Sequence, residues 1–258
     1  WVWGTWQGRC ESKVHNVKDA YRLVLAWAKK IIYLCKMLLS PSQENYLKAI
    51  YKLQEDDGIA TNQALAAIVE ATPASVTNML RKLTDTGFVE YEAYQGATLT
   101  SAGRNQAVAL VRKHRLWEVF LVDKLQYDWD AVHALAEELE HIGGDELINR
   151  LDAFLGHPGF DPHGDPIPNA KGVVRARQHA IAASEASVGG TFVVCGVKDS
   201  SSLFLQHLDK LNIALGKAYT LKECLEFDRS AVWTEQGGAC TNVSNEVAKN
   251  VLIQLTDA

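Results

Sequence analysis

Apolar residues fall at helical spacing from Ser40 onward. Tyr46, Leu47, Ile50, Tyr51 and Leu53 form one stripe, Ser40 can cap a helix and Pro41 suits its first position, so a helix is predicted to about Glu55. Asp57-Gly58 breaks the pattern. Thr61 is then placed to cap a short helix carrying Leu65, Ala66 and Ile68, and Thr72-Pro73 opens a third helix over Ala74 to Thr84. After Gly87 the sequence from Phe88 to Leu99 changes to strand character and predicts a two-stranded hairpin turning near Gln95-Gly96. Three helices followed by a hairpin make a winged helix-turn-helix.

A different pattern occupies Val132 to Ile142, where His133, Glu137, Glu140 and His141 stand at i, i+4, i+7 and i+8. At about 100° per residue these side chains share one side of a helix, with Leu135, Leu139 and Ile142 on the other, so one face is expected to bury and the other to hold a cation. His114 and Glu118 repeat the i, i+4 spacing one helix earlier. The same spacing is also met on ordinary solvated helix faces. Beyond Gly189, Thr191–Val197, Ala218–Lys222 and Val251–Leu255 read as short strands, with a helix from Leu203 to Leu211, and a small barrel is predicted. Phe160 to Gly172 holds three prolines and two glycines and is expected to be a linker rather than a buried element.

Composition narrows the class. With 258 residues, 47% hydrophobic and 22% charged, the chain can bury a sizeable core divided among two or three modules. Its longest early apolar run, Leu23 to Cys35, is interrupted by Lys29 and Lys30, so no membrane span is expected. Five cysteines without a C-x-x-C pair suggest neither a disulfide framework nor a zinc knuckle, and a reducing cytoplasm fits best. The net charge of −5 argues against indiscriminate nucleic-acid binding, yet a local basic element can still meet DNA. Such an element lies on the third helix. Ser75, Thr77, Asn78, Arg81 and Lys82 are predicted to face outward, with Val76, Leu80 and Leu83 inward. Short hydrogen-bonding side chains near the helix start suit base edges, and Arg81 and Lys82 suit phosphates. Residues 1–36 differ from the rest. They hold four of the seven tryptophans, and Met37 reads as a natural start that would make them an appended segment; the competing expectation is an amphipathic partner helix over Ala20 to Leu34.

Several ordered blocks together resemble the metal-dependent repressors of the diphtheria toxin repressor family, in particular their manganese-responsive branch. They are the run from Pro41 to Leu53, Val76-Thr-Asn-Met79, Leu99-Thr-Ser-Ala-Gly103, Arg112-Lys-His-Arg-Leu116 and Leu139-Glu-His141. The resemblance runs from about Leu39 to Pro168 and continues more weakly to the C-terminus. It implies a mainly α fold with small β parts: a winged helix-turn-helix domain over 37–108, a helical metal-binding and dimerisation domain over 109–168, a linker over 169–188 and an SH3-like β-barrel over 189–258.

Carried over by residue, the family's primary metal site falls on Asn45, His114, Glu137, Glu140 and His141. Asn45 departs from the aspartate of manganese-type relatives and the methionine of iron-type ones, while Glu137 stands where iron-type relatives have cysteine. A secondary site is implied at Glu118, His133, Asp161 and His163, with Asp161 replacing a cysteine. Asp199 lies near the position of a further ligand. The all-oxygen-and-imidazole set favours Mn(II), with Fe(II) as the alternative. The DNA-reading residues become Thr72, Pro73, Ser75, Thr77, Asn78, Arg81 and Lys82. The function implied is a cytoplasmic, homodimeric repressor of metal-homeostasis genes, not an enzyme, that binds a palindromic operator when loaded with metal. The competing readings are a metal-independent winged-helix regulator that senses a small organic ligand and a metal-dependent hydrolase. The hydrolase leaves the helix-turn-helix unexplained.

Overall fold

The computed structural model describes residues 39–256 apart from 57–58, 94, 175–179 and 236. The expectations for residues 1–36, for a start at Met37 and for a break at 57–58 lie outside the described residues. Along the sequence the chain divides between Arg104 and Asn105 into two compact units, each described by itself.

In the first unit α1 spans Pro41–Asp56, α2 Asn62–Ile68 and α3 Pro73–Asp85. The start of α1 is a reciprocal cap: Gln43 N donates to Ser40 Oγ at 3.3 Å, and Ser40 N donates to Gln43 Oε1 at 2.9 Å. Thr61 and Thr72 cap α2 and α3 by accepting from Ala64 N and Ser75 N. Strands β1 (Val89–Glu92) and β2 (Gly96–Leu99) pair antiparallel as the wing, and Ala60 bridges to Ala97 on the free side of β2. Leu47, Ile50, Leu65, Val76, Leu80 and Leu83 are fully buried, so α3 turns inward the three residues expected of it.

Helix α4 (Ser101–Asp123) begins in this unit and runs on in the next. There α5 spans Val132–Leu139 and α6 Asp145–Phe154, around a core of Leu116, Val119, Ile148, Leu151 and Ile167. The C-terminal part is a six-stranded antiparallel sheet in the order β3-β8-β4-β5-β6-β7, consistent with an SH3-like domain. Its strands are β3 (Ala180–Ala182), β4 (Thr191–Val197), β5 (Ala218–Cys224), β6 (Ala231–Glu235), β7 (Cys240–Val243) and β8 (Val251–Leu255). Helix α7 (Ser202–Lys210) follows β4, and α8 (Asn245–Asn250) precedes β8. Phe192, Tyr219 and Trp233 form the aromatic centre of its core.

Three expectations need correction. The sheet begins at Ala180, so the end of the 169–188 stretch is strand and not linker. The segment from Phe160 is folded: Phe160 bridges to Pro166, and Asp161, His163 and Ile167 are buried. Its prolines and glycines shape a turn that closes on itself rather than a free connection. On α5 the residues in the core are Val132, Ala136 and Glu140, whereas Ile142 is 55% exposed. The apolar stripe gave way to a buried carboxylate.

The sheet domain is held to the helices by polar contacts around the loop before α5. The Trp129 indole packs on the sheet core and donates from Nε1 to both oxygens of Asp209 at 3.1 Å. Ser202 Oγ donates to the Asp130 carbonyl and Gln206 Nε2 to the Asp130 carboxylate, each at 2.7 Å. From β4, Val197 N donates to the His163 carbonyl at 3.0 Å.

Candidate metal centre and nucleic-acid face

Side chains from three places meet below α5. His114 and Glu118, one turn apart on α4, point the same way because i and i+4 share a helix face. His133 enters from the first turn of α5, and Glu140 from its C-terminal cap. Asp161 and His163 come from the folded turn. His114 sits at the middle: Nδ1 lies 2.7 Å from Glu140 Oε2, while Nε2 lies 3.0 Å from Glu118 Oε1 and 3.1 Å from His133 Nδ1. Glu118 Oε1 is also 3.3 Å from His133 Nδ1 and 3.7 Å from His163 Nδ1. Glu140 is fully buried and Glu118 2% exposed.

The Asp161 turn is braced by hydrogen bonds that fix its side chains. Asp161 Oδ1 accepts from His163 N and Asp165 N at 2.9 Å, an arrangement in which an aspartate side chain closes the turn. Arg115 braces it from α4, reaching Asp161 and Asp165 at 3.5 Å and donating to the Pro166 carbonyl at 2.7 Å. His163 Nε2–H donates to the Trp129 carbonyl at 2.9 Å, which leaves Nδ1 directed at Glu118. Gly164 is essential to this turn: its φ is +86°, and a Cβ there would stand 2.2 Å from the Cys195 carbonyl oxygen. Gly164→Ala is therefore expected to destabilise the protein by about 1–3 kcal/mol or more in thermal unfolding. It should also weaken metal binding, because the shift is forced on the residue next to His163; unchanged Mn(II) affinity by calorimetry would contradict this.

The electrostatics follow from burial among imidazoles. Burial works to raise the Glu118 carboxyl, but hydrogen bonds from His114, His133 and His163 and the charge of His114 outweigh it and hold the group far below the usual carboxylate range. For His163 burial favours the neutral ring, yet the Glu118 hydrogen bond and the Glu118 and Asp161 charges push it up to about 9. Burial, then the Glu118 and Asp165 charges, push Asp161 up to about 7 against the pull of Arg115 and His163.

Two sets of donor atoms arise, His114–Glu118–His133 and Glu118–Asp161–His163, each with all its atoms within 4.8 Å of one another. A divalent ion bonded at about 2.0–2.2 Å spans ligand pairs of about 3 Å to about 4.4 Å, so both sets fit one with small adjustments. Both contain only imidazole nitrogen and carboxylate oxygen, and they share Glu118.

The residues expected of a primary and a secondary site are not divided along that line. His114 touches both Glu140 and the Glu118 group, while Glu137 Oε1 lies 3.5 Å from His133 Nε2 and is half exposed. His141 Nε2 is 3.8 Å from Glu140 Oε1. Asn45 is exposed on α1, in the first unit, and Asp199 accepts from Ser201 N ahead of α7. Sequence reasoning missed Trp129 and Arg115, whose parts are to orient His163 and brace the turn; a backbone carbonyl leaves no signal in a sequence.

On α3, Thr72, Pro73, Ser75, Asn78, Arg81 and Lys82 are exposed, whereas Thr77 is half-buried. Thr77 Oγ1 donates to the Pro73 carbonyl at 3.0 Å and accepts from Asn62 Nδ2 at 2.9 Å. Asn62 also donates to Tyr91 Oη of the wing at 3.1 Å. The wing's exposed charges are Glu90 and Glu92, so the cations of this face are Arg81 and Lys82 on α3.

One unit thus holds a winged helix-turn-helix, and the other a buried histidine–carboxylate cluster whose donor atoms could hold a divalent ion. Residues 38–97 match the model of the iron-dependent repressor N-terminal DNA-binding domain, and residues 100–169 that of the iron-dependent repressor metal-binding and dimerisation domain. The chain is similar to the iron-dependent repressor IdeR of Mycobacterium leprae, 33% identical over 130 residues, which is 50% of this chain and 56% of that protein. It is 31% identical to the diphtheria toxin repressor of Corynebacterium diphtheriae over 156 residues, 60% of this chain and 66% of that one. The matches thus span little more than half of the first of these relatives. A solved structure described as a manganese-dependent transcriptional repressor in complex with manganese superposes with a TM-score of 0.73 at 34% identity, covering 83% of this chain and 100% of that one. The chain belongs to the iron-dependent repressor family, as its sequence blocks had suggested.

Proposed function

We propose that this protein is a metal-activated repressor that binds a palindromic DNA operator as a homodimer in the cytoplasm and controls genes of metal homeostasis. The observation that carries the reading is the pairing of an exposed helix, bearing Asn78, Arg81 and Lys82 behind a Thr-Pro cap, with a buried His/Glu cluster whose donor atoms fit a divalent ion. His114, Glu118, His133, Glu140, Asp161 and His163 are the residues that would hold metal, with Glu137 and His141 at the edge of the cluster. When bound, a divalent ion would supply a positive charge shared by His114 and Glu118 of α4, His133 of α5, and Asp161 and His163 of the turn. Without it the same groups rely on protons and hydrogen bonds. Hard oxygen and imidazole donors favour Mn(II), and Fe(II) is the alternative; among the relatives, one solved structure is described with manganese and IdeR as iron-dependent.

Dimerisation draws support from exposed apolar side chains. Leu147 and Phe154, seven residues apart on α6, share a helix face and are 44% and 64% exposed, and Ile142 stands just ahead of the helix. Among the described residues no helix is long and apolar enough to cross a membrane.

The test is DNA-binding titration on the gene's own upstream region with Mn(II), Fe(II) or chelator. Operator binding is expected with metal and is expected to be lost with chelator; equal affinity in both would rule out metal activation. Asn78→Ala should cost about 1–3 kcal/mol of specific binding and Arg81→Ala should lower affinity for all sequences, with metal binding unchanged in both. Loss of metal binding in either variant would contradict the division of roles between α3 and the His/Glu cluster.

A further inference from the structure

We infer that Thr77 reads a thymine through its methyl group and that Asn62 holds it in that role. The inference rests on the DNA-binding reading and goes beyond it to the base that one position selects. A threonine one turn into a reading helix would ordinarily offer its hydroxyl to a base edge. Here that hydroxyl has no hydrogen left to give. It donates to the Pro73 carbonyl at 3.0 Å, the bond back along the helix that fixes a threonine's first side-chain torsion. It also accepts from Asn62 Nδ2 at 2.9 Å. The oxygen is therefore turned toward Pro73 and Asn62, and of this half-buried side chain the methyl is the group we assign to the base. In the major groove a side-chain methyl has one distinctive counterpart, the 5-methyl of thymine.

Asn62 does more than occupy the hydroxyl. The two hydrogens of its amide nitrogen go to Thr77 Oγ1 and Tyr91 Oη, so one side chain at the start of α2 joins the reading helix to the wing. Asn62 is a positioning residue: it sets which way Thr77 faces and ties β1 to α3.

The experiment uses the full chain loaded with Mn(II) and duplexes it selects from a random pool, prepared with thymine or with deoxyuridine, which lacks the methyl. Wild type is expected to lose about fourfold in affinity per half-site when the contacted thymine is replaced by deoxyuridine, the worth of one buried methyl. Thr77→Ser keeps the hydroxyl and removes the methyl. It should bind the thymine duplex about fourfold more weakly per half-site than wild type and match wild type on the deoxyuridine duplex. Equal binding of both duplexes by wild type, or a Thr77→Ser protein with wild-type affinity for both, would overturn the inference. Asn62→Ala should shrink the preference for thymine and the ratio of selected to random DNA while leaving the salt dependence, set by phosphate contacts, unchanged. If Asn62→Ala kept that preference intact, the positioning role would fall. Failure of the metal-loaded wild type to select any DNA would instead overturn the DNA-binding reading, and it would be seen before any thymine is replaced.

Discussion

His114→Ala is expected to abolish metal-activated DNA binding and to lower Mn(II) affinity by at least about 100-fold, more than loss of any other histidine in the cluster. The reason is its position. Nδ1 meets Glu140 Oε2 at 2.7 Å and Nε2 meets Glu118 Oε1 at 3.0 Å, so one ring joins the end of α5 to the group shared with His133 and His163. His133 is half exposed, and His141 Nε2 lies 3.8 Å from Glu140 Oε1. Removing His114 also takes an imidazole partner from two buried carboxylates, Glu118 and Glu140. Breaking a buried ion pair by deleting one partner costs about 3–5 kcal/mol, so the metal-free variant should melt well below wild type. Calorimetric titration with Mn(II), thermal unfolding and operator binding by anisotropy together check this. A His114→Ala protein that still responds to Mn(II) at wild-type concentrations would show that the cluster is not the activating site.

Where local chemistry decides structure, the chain was readable. Ser40-Pro41 with Gln43, Thr61, and Thr72-Pro73 are start signals that act within one turn, and each heads a helix. The hairpin turn at Gln95-Gly96 and the strand Thr191–Val197 follow from equally local patterns. Strands β6 and β7 and helix α8 were not foreseen, because segments of four to six residues repeat no period long enough to recognise. The misreadings near the histidine–carboxylate cluster share another cause. Hydrophobic periodicity assigns apolar residues to the core, and it placed Leu135, Leu139 and Ile142 inside; α5 instead buries Glu140 because His114 offers a partner from another helix, a long-range fact absent from the spacing. In the same way, prolines and glycines suggested a linker at 160–172, whereas the Asp161 side chain and Arg115 fold it into a wall of the cluster. Candidate residues could thus be named from the sequence, but their grouping could not. Thr77 is the parallel case on the reading helix, where a hydroxyl expected to meet DNA is engaged by Asn62.

Glu118→Gln is expected to change the pH dependence of metal binding as well as its strength, since Glu118 belongs to both donor sets. In the metal-free protein His163 is raised from the usual 6.5 to about 9 and Asp161 from 3.8 to about 7, and Glu118 contributes to both shifts. Each raised group favours the folded state most below its unfolded value and loses that contribution as pH rises through its folded value. Metal-free stability should therefore decline from acid toward pH 9 through these two groups. Glu118 acts in the opposite sense: its lowered carboxyl stabilises above the usual 4.5, and that stability is lost in stronger acid. A metal ion entering at pH 7 must displace the His163 proton and part of the Asp161 proton, so affinity should rise between pH 7 and 9 with measurable proton release. Replacing Glu118 by glutamine removes the charge that keeps those protons bound. His163, still buried, should then titrate well below 9, proton release on binding should shrink, and the rise in affinity from pH 7 to 9 should flatten even as overall affinity falls. Histidine resonances followed by NMR across pH, with calorimetry in buffers of different ionisation enthalpy, read both effects. If His163 in the Glu118→Gln protein still titrated near 9, its charge would be held by some other group, and Glu118 would not be the carboxylate around which the two donor sets are organised.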